Sequence, residues 1–109
     1  MLFDTKNNVC YNLNMYTELE VKKLLYPVFD RHKVKKAVLF GSVAKNMATE
    51  QSDVDILVDS GLKGIAFFGL LEDIVQTLGK RVDLIDTSQV INGSKIANEI
   101  NNTGIVIYE

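Results

Sequence analysis

The sequence predicts an α/β fold, a small mixed β-sheet flanked by helices. Three observations predict it. Four short apolar runs, at 37–40, 56–58, 82–85 and 105–108, are rich in branched and aromatic residues and read as core strands. Stretches with apolar residues at helical spacing alternate with them, in the order helix, strand, short helix, strand, helix, strand, helix, strand. About a dozen residues join the first two strands, which admits an antiparallel pair or a cramped crossover, so the sheet is expected to be mixed.

Taken in order, residues 1–14 are polar, with four asparagines and no period, and are expected to form a loose arm or a short irregular piece. Tyr11 and Tyr16 are the residues that would pack it. The division drawn is an arm over 1–16 and one domain over 17–109, in keeping with a 109-residue chain. Thr17 and Glu20 fit a capping box that opens a helix. Val21, Leu24, Leu25, Val28 and Phe29 form its apolar stripe, and Pro27 inside the pattern is a potential kink. Residues 30–33 end it in a polar turn. Strands are expected over 35–40 and 54–59, with a short helix over 43–47 and a polar loop over 48–52 between them. A helix follows over 65–78, with Gly79 as its terminating residue. Phe67, Phe68, Leu70 and Leu71 belong mostly to its core side, and one of the adjacent phenylalanines is left to face outward. A third strand lies within 80–86. Ile91, Ile96, Ala97 and Ile100 mark a helix over 90–102, Gly104 stops it, and 105–108 is the last strand.

Composition narrows the class. Hydrophobic residues make up 47% and charged residues 24%, as in ordinary soluble globular domains, and the net charge of -2 gives no general attraction to nucleic acid or anionic membranes. No apolar run is long enough to span a bilayer, and the first residues lack the pattern of a signal peptide. The single cysteine, Cys10, forms no internal disulfide, and no Cys/His cluster suggests zinc. A cytoplasmic protein is expected. Lys22, Lys23, Lys33, Lys35 and Lys36 are read as solvated faces, and His32 as a surface residue in a polar turn.

The chemistry gathers between residues 35 and 59. The first strand stops abruptly at Gly41-Ser42, and the second begins within Asp53-Val54-Asp55. Alternate residues of a strand share a face, so Asp53 and Asp55 project together while Val54 turns to the core. Paired carboxylates suit a hard divalent cation, and magnesium characteristically takes one or two of them with phosphate oxygens. Asp83, in Arg81-Val82-Asp83-Leu84-Ile85, joins the same edge if its strand neighbours the second. Three acids can then hold two metals, or one metal and a general base. Glycine permits close backbone approach, the amides beyond it can receive phosphate oxygens, Ser42 adds a hydroxyl, and Lys45 adds a point charge. Each half of this pattern is common alone. Together, Gly-Ser, ten residues and Asp-x-Asp arise by chance in roughly one in a thousand chains of this length.

Gly41-Ser42, the ten-residue spacer, Asp53-Val54-Asp55 and the following Ile56-Leu57-Val58 resemble the DNA polymerase beta-like nucleotidyltransferase superfamily, and the chain's size resembles its minimal nucleotidyltransferase (MNT) branch. The segments 81–85 and 104–109 resemble that branch's third-acid strand and closing strand. The resemblance implies a polymerase beta-like fold and magnesium-dependent transfer of a nucleoside monophosphate to a hydroxyl. It places Asp53, Asp55 and Asp83 on two magnesium ions, with Asp83 assisting deprotonation of the acceptor, and gives Gly41, Ser42 and Lys45 the triphosphate. It further implies an antitoxin of a HEPN/MNT module, moving AMP from ATP to a tyrosine of a HEPN ribonuclease toxin. Val43 and Lys45 stand where many relatives carry arginines. Two other functions remain open from the sequence: a non-catalytic module that masks the partner, and nucleotidyl transfer to a small molecule such as an aminoglycoside.

Overall fold

The computed structural model describes residues 2–4, 9–11, 16–45, 47 and 52–109. Helix α1 (Glu18–Arg31) opens with the expected capping box: the Glu20 amide donates to the Thr17 hydroxyl oxygen at 3.2 Å, and the Thr17 amide donates to Glu20 Oε1 at 3.2 Å. Val21, Leu25, Val28 and Phe29 form its buried stripe. Pro27 lies on the exposed face, away from that stripe, and the helix runs on through it. The turn after α1 uses Lys33 in the left-handed region, φ 57°.

Strand β3 (Lys36–Phe40) leads directly into α2 (Gly41–Ala44), a single turn. The short helix therefore lies two residues earlier than the sequence suggests, because Gly41 itself, at φ 76°, turns the chain off the strand. Most of the loop expected over 48–52 lies outside the described residues. Strand β4 (Val54–Asp59), helix α3 (Ile65–Leu78) and strand β5 (Val82–Asp86) follow, with Gly79 ending α3 in the αL conformation. The helix expected over 90–102 is a shorter one. A 3-10 turn occupies Thr87–Gln89 and helix α4 covers Lys95–Thr103, because the Ser94 hydroxyl caps the Ala97 amide at 3.2 Å. Ile91, expected on the apolar face, is exposed in the intervening turn. Strand β6 (Ile105–Tyr108) closes the chain.

The sheet is four-stranded and mixed, in the order β5-β4-β3-β6. Strand β3 is antiparallel to both β4 and β6, and β4 is parallel to β5 across the α3 crossover. One face carries Ala37, Leu39, Val54, Ile56, Val58 and Ile107, which meet the buried stripes of α1 and of α3 (Leu70, Ile74, Leu78) in one core. Burying a large side chain such as Phe29 or Leu25 there contributes ~1.5–3 kcal/mol. Helix α4 packs against β3 from the other side. That arrangement frees the remaining part of the second face, where Asp55 points.

The first residues depart from the expected irregular arm. Strands β1 (Leu2–Asp4) and β2 (Val9–Tyr11) pair antiparallel as a ribbon separate from the main sheet. The side chains of Cys10 and Tyr11 lie outside the described residues. Tyr16 does pack on the core, and its phenol donates to the Leu78 carbonyl. His32 is no simple surface residue, since Nε2 lies 2.9 Å from Asp73 Oδ2, which also accepts from Arg31 at 2.7 Å, joining α1 to α3. Phe67 packs against the core and Phe68 is exposed. The five lysines of the basic cluster are all exposed.

The far end of the sheet is closed by Asp86. Its Oδ1 accepts from the Ser60 amide at 3.2 Å and hydroxyl at 2.7 Å, and its Oδ2 accepts from the Ser88 amide at 3.0 Å and hydroxyl at 2.7 Å. Burial alone would raise this carboxyl, but the bonds from Ser88 and Ser60 hold it down to about 2. Its stability contribution is therefore present above the ordinary aspartate range and lost as pH falls through about 2. Asp86→Ala is expected to cost about 2–3 kcal/mol in urea denaturation at neutral pH, because it strands the buried donors of Ser60.

Candidate functional site

The near end of the sheet gathers the ends of three strands. Phe40 pairs with Asp55 across the antiparallel β3–β4 ladder, and Asp55 pairs with Asp83 across the parallel β4–β5 ladder. The expectation that Asp83 reaches the edge of the Asp53–Asp55 pair follows from that register. Val54 is fully buried, as the alternation requires, while Asp55 is partly exposed on the opposite face.

Gly41 is held against Asp55. A Cβ at position 41 would lie 2.1 Å from Asp55 Oδ2 and 3.0 Å from its Cγ, and the backbone there has φ 76°. Only glycine meets both demands. The amide of Lys45 closes the α2 turn on the Gly41 carbonyl at 3.1 Å, and Ser42 is partly buried beside it. The Gly-Ser turn and the carboxylate strand thus form one structural unit.

The electrostatics of this unit are unfavourable as it stands. Burial first, then the negative charges of Asp83, Asp53 and Glu99, push Asp55 up to about 6. Asp53 is turned to Arg81, whose Nε lies 3.3 Å from Asp53 Oδ1. Lys45 is paired with Glu99 at 3.0 Å rather than standing alone over the turn. Val43 is buried in the core and carries no polar function. Among the described residues no three His, Cys, Asp or Glu side chains converge closely enough to hold a cation. Asp55 and Asp83 are brought together by register, and Asp53 is paired with Arg81.

The donor set nevertheless fits a hard divalent cation. It consists of carboxylate oxygens with no sulfur or imidazole, and a cation between Asp55 and its neighbours would relieve the repulsion that raises the Asp55 carboxyl. A hollow of about 290 Å³ at the opposite end, lined by Leu62, Lys63, Phe67 and Asp86 among others, has no comparable chemistry, since Asp86 is already fully engaged.

Two residues of this end were missed by the sequence reading. Arg81 lies two positions before Asp83, so the same alternation rule that paired Asp53 with Asp55 places it on the Asp83 face. Glu99 sits on α4 and carries no local signal, because only packing of α4 on α2 and β3 brings it near.

The chain belongs to the polymerase beta nucleotidyltransferase family, whose model matches residues 23–109. It is a nucleotidyltransferase. A candidate protein adenylyltransferase of Methanocaldococcus jannaschii is 36% identical over 74 residues, 65% of this chain and 78% of that relative. Among solved structures, a chain of a toxin–antitoxin complex with AMP-PNP superposes with a TM-score of 0.69 at 22% identity, over 80% of this chain and 72% of that one. A chain from the complex of a tri-AMPylated Shewanella oneidensis HEPN toxin with its MNT antitoxin gives 0.64 at 20% identity, over 84% and 72%. These two share the fold. Among the described residues, no helix is long and apolar enough to cross a membrane.

The raised Asp55 carboxyl has a signed consequence. Its folded pKa exceeds the ordinary aspartate value, so ionisation of Asp55 opposes folding, and the stability it contributes when protonated is lost as pH rises through about 6. In a chelator-containing buffer, Asp55→Asn is expected to stabilise the fold at pH 7.5 by about 1 kcal/mol, discounted from the full shift for solvent screening. The gain should shrink towards pH 4.5, as urea titrations at the two pH values would show.

Proposed function

We propose that this chain is an antitoxin that transfers AMP from ATP to a hydroxyl, a tyrosine's, on a HEPN-type toxin partner in the cytoplasm. The observation that carries the reading is Asp55, packed on Gly41 and in register with Asp83. It joins a phosphate-receiving turn to an acidic cation site. The family membership and the relatives named as protein adenylyltransferases support AMP transfer, and the fold shared with MNT antitoxins supports the partner.

In this reading Asp53, Asp55 and Asp83 would hold two magnesium ions. Magnesium, when bound, screens the triphosphate and stabilises charge at the transferred phosphoryl group. Gly41 lets the backbone approach the phosphates, and Ser42 donates to them. Lys45 leaves Glu99 to offer its ammonium to the same oxygens. Asp83, at the exposed edge, accepts the proton of the incoming hydroxyl. The acceptor is brought by the partner, and the open face beside β5 leaves room for it.

A second reading draws support from Val43 and Lys45. With Val43 buried and Lys45 engaged by Glu99, the turn offers little positive charge to a nucleotide. The chain would then neutralise its partner by masking alone. Intact-mass spectrometry of a co-expressed HEPN-type partner after incubation with ATP and magnesium separates the two. AMP additions that disappear with Asp53→Asn/Asp55→Asn and with removal of the partner's acceptor tyrosine are the expected result. Equimolar inhibition without nucleotide and an unchanged mass with it would sink the transferase reading in favour of masking.

A further inference from the structure

We propose that Arg81 supplies a second positive charge, beside Lys45, for the triphosphate in this chain, and that it is held on Asp53 until a divalent cation takes that carboxylate. The inference rests on the nucleotidyl-transfer reading above and names a nucleotide-binding residue for it. The Val54 amide donates to the Arg81 carbonyl at 3.1 Å, which sets Arg81 level with Asp53 at the sheet's acidic end. Its Nε lies 3.3 Å from Asp53 Oδ1, and Asp83 stands two residues along on the same face.

A structural role explains this pair poorly. The Arg81 side chain is 86% exposed and that of Asp53 46%, and ion pairs so open to water contribute little to stability. The local charge explains it better. The charges of Asp53, Asp83 and Glu99 all bear on Asp55 here, and among the described residues Lys45 is paired with Glu99 and Arg81 with Asp53. Lys45 must first give up Glu99 and Val43 is buried, so a triphosphate arriving at Gly41-Ser42 has at most one cation at the turn and gains from a second. Arg81 lies at the head of β5, two strands and so about 10 Å from the Gly-Ser turn, a span that its extended side chain and an extended triphosphate cover together, and its planar fork matches phosphate oxygens two at a time.

The coupling follows from competition for one oxygen. Without nucleotide, a divalent ion must displace the guanidinium from Asp53, so Arg81 opposes metal binding. With nucleotide, the displaced guanidinium finds the phosphates, so Arg81 favours it. Removing the side chain should therefore have opposite effects on the two ligands, which loss of a merely structural contact would not produce.

The test measures binding rather than turnover. Manganese binding to the free protein is followed by electron paramagnetic resonance, and binding of a non-hydrolysable ATP analogue with magnesium by calorimetry. Arg81→Ala should bind manganese about two- to threefold more tightly. It should bind the analogue about tenfold more weakly. Arg81→Lys should fall between it and the wild type for the analogue, since it keeps the charge and loses the fork. If the wild type binds manganese and analogue, and Arg81→Ala changes neither or weakens both, this inference falls while the transferase reading stands. If the wild type binds neither, both fall.

Discussion

The contact between the backbone of Gly41 and the carboxylate of Asp55 governs the rest of the site. There is no room between them for a single carbon, since a Cβ would lie 2.1 Å from Asp55 Oδ2. Everything around it serves that closeness. Strands β3 and β4 must be antiparallel with Phe40 opposite Asp55, so that the chain leaving β3 crosses the carboxylate. The turn must reverse at a positive φ, which glycine alone adopts at ease. The core below must be firm, and Val54, Ile56 and Val58 anchor β4 in it while Asp55 faces away. The Gly-Ser turn is thus fixed to the Asp55 carboxylate by packing rather than by any bond between them.

The two ends of the sheet treat their acids in opposite ways. At the far end Asp86 is satisfied by Ser60 and Ser88, and its carboxyl is held well below the usual range. At the near end Asp55 is buried beside the charges of Asp83, Asp53 and Glu99, and its carboxyl is raised. The first is a clasp that ties β5 to the loop after β4. The second is a site under electrostatic tension, which a cation would release. The satisfied and the unsatisfied acid are separated along the strand direction, so the unfavourable charge at one end is kept apart from the clasp at the other.

The resemblance leads to an expectation of arginines at positions 43 and 45, where this chain has Val43 and Lys45. The structure shows what became of those positions: Val43 joined the core and Lys45 joined α4 through Glu99. Positive charge is instead present at Arg81, on the other side of the acidic cluster. A charge at β5 can serve a ligand at the end of β3, because an extended side chain and an extended triphosphate together cover the two strand spacings, about 10 Å, between them.

Much of this protein was legible in its residues. Alternation placed Val54 inward and Asp55 outward, the capping box started α1 at the right residue, and Gly79 ended α3, because these patterns depend on neighbours in sequence. The mixed sheet followed from the short link between β3 and β4. The start of α4 was not legible, since an apolar period over 90–102 competed with a Ser94 cap that cuts it short, and Ile91 went to solvent. Nor was the pairing of the first residues into a ribbon, where no period marks the strands. The sequence by itself determined the acids, the glycine and the strand ends on which they sit. Only tertiary structure decided that Asp83 lies beside Asp55, that Glu99 bears on Asp55, and that Arg81 and Lys45 are already paired, because these depend on strand order and helix packing across dozens of residues.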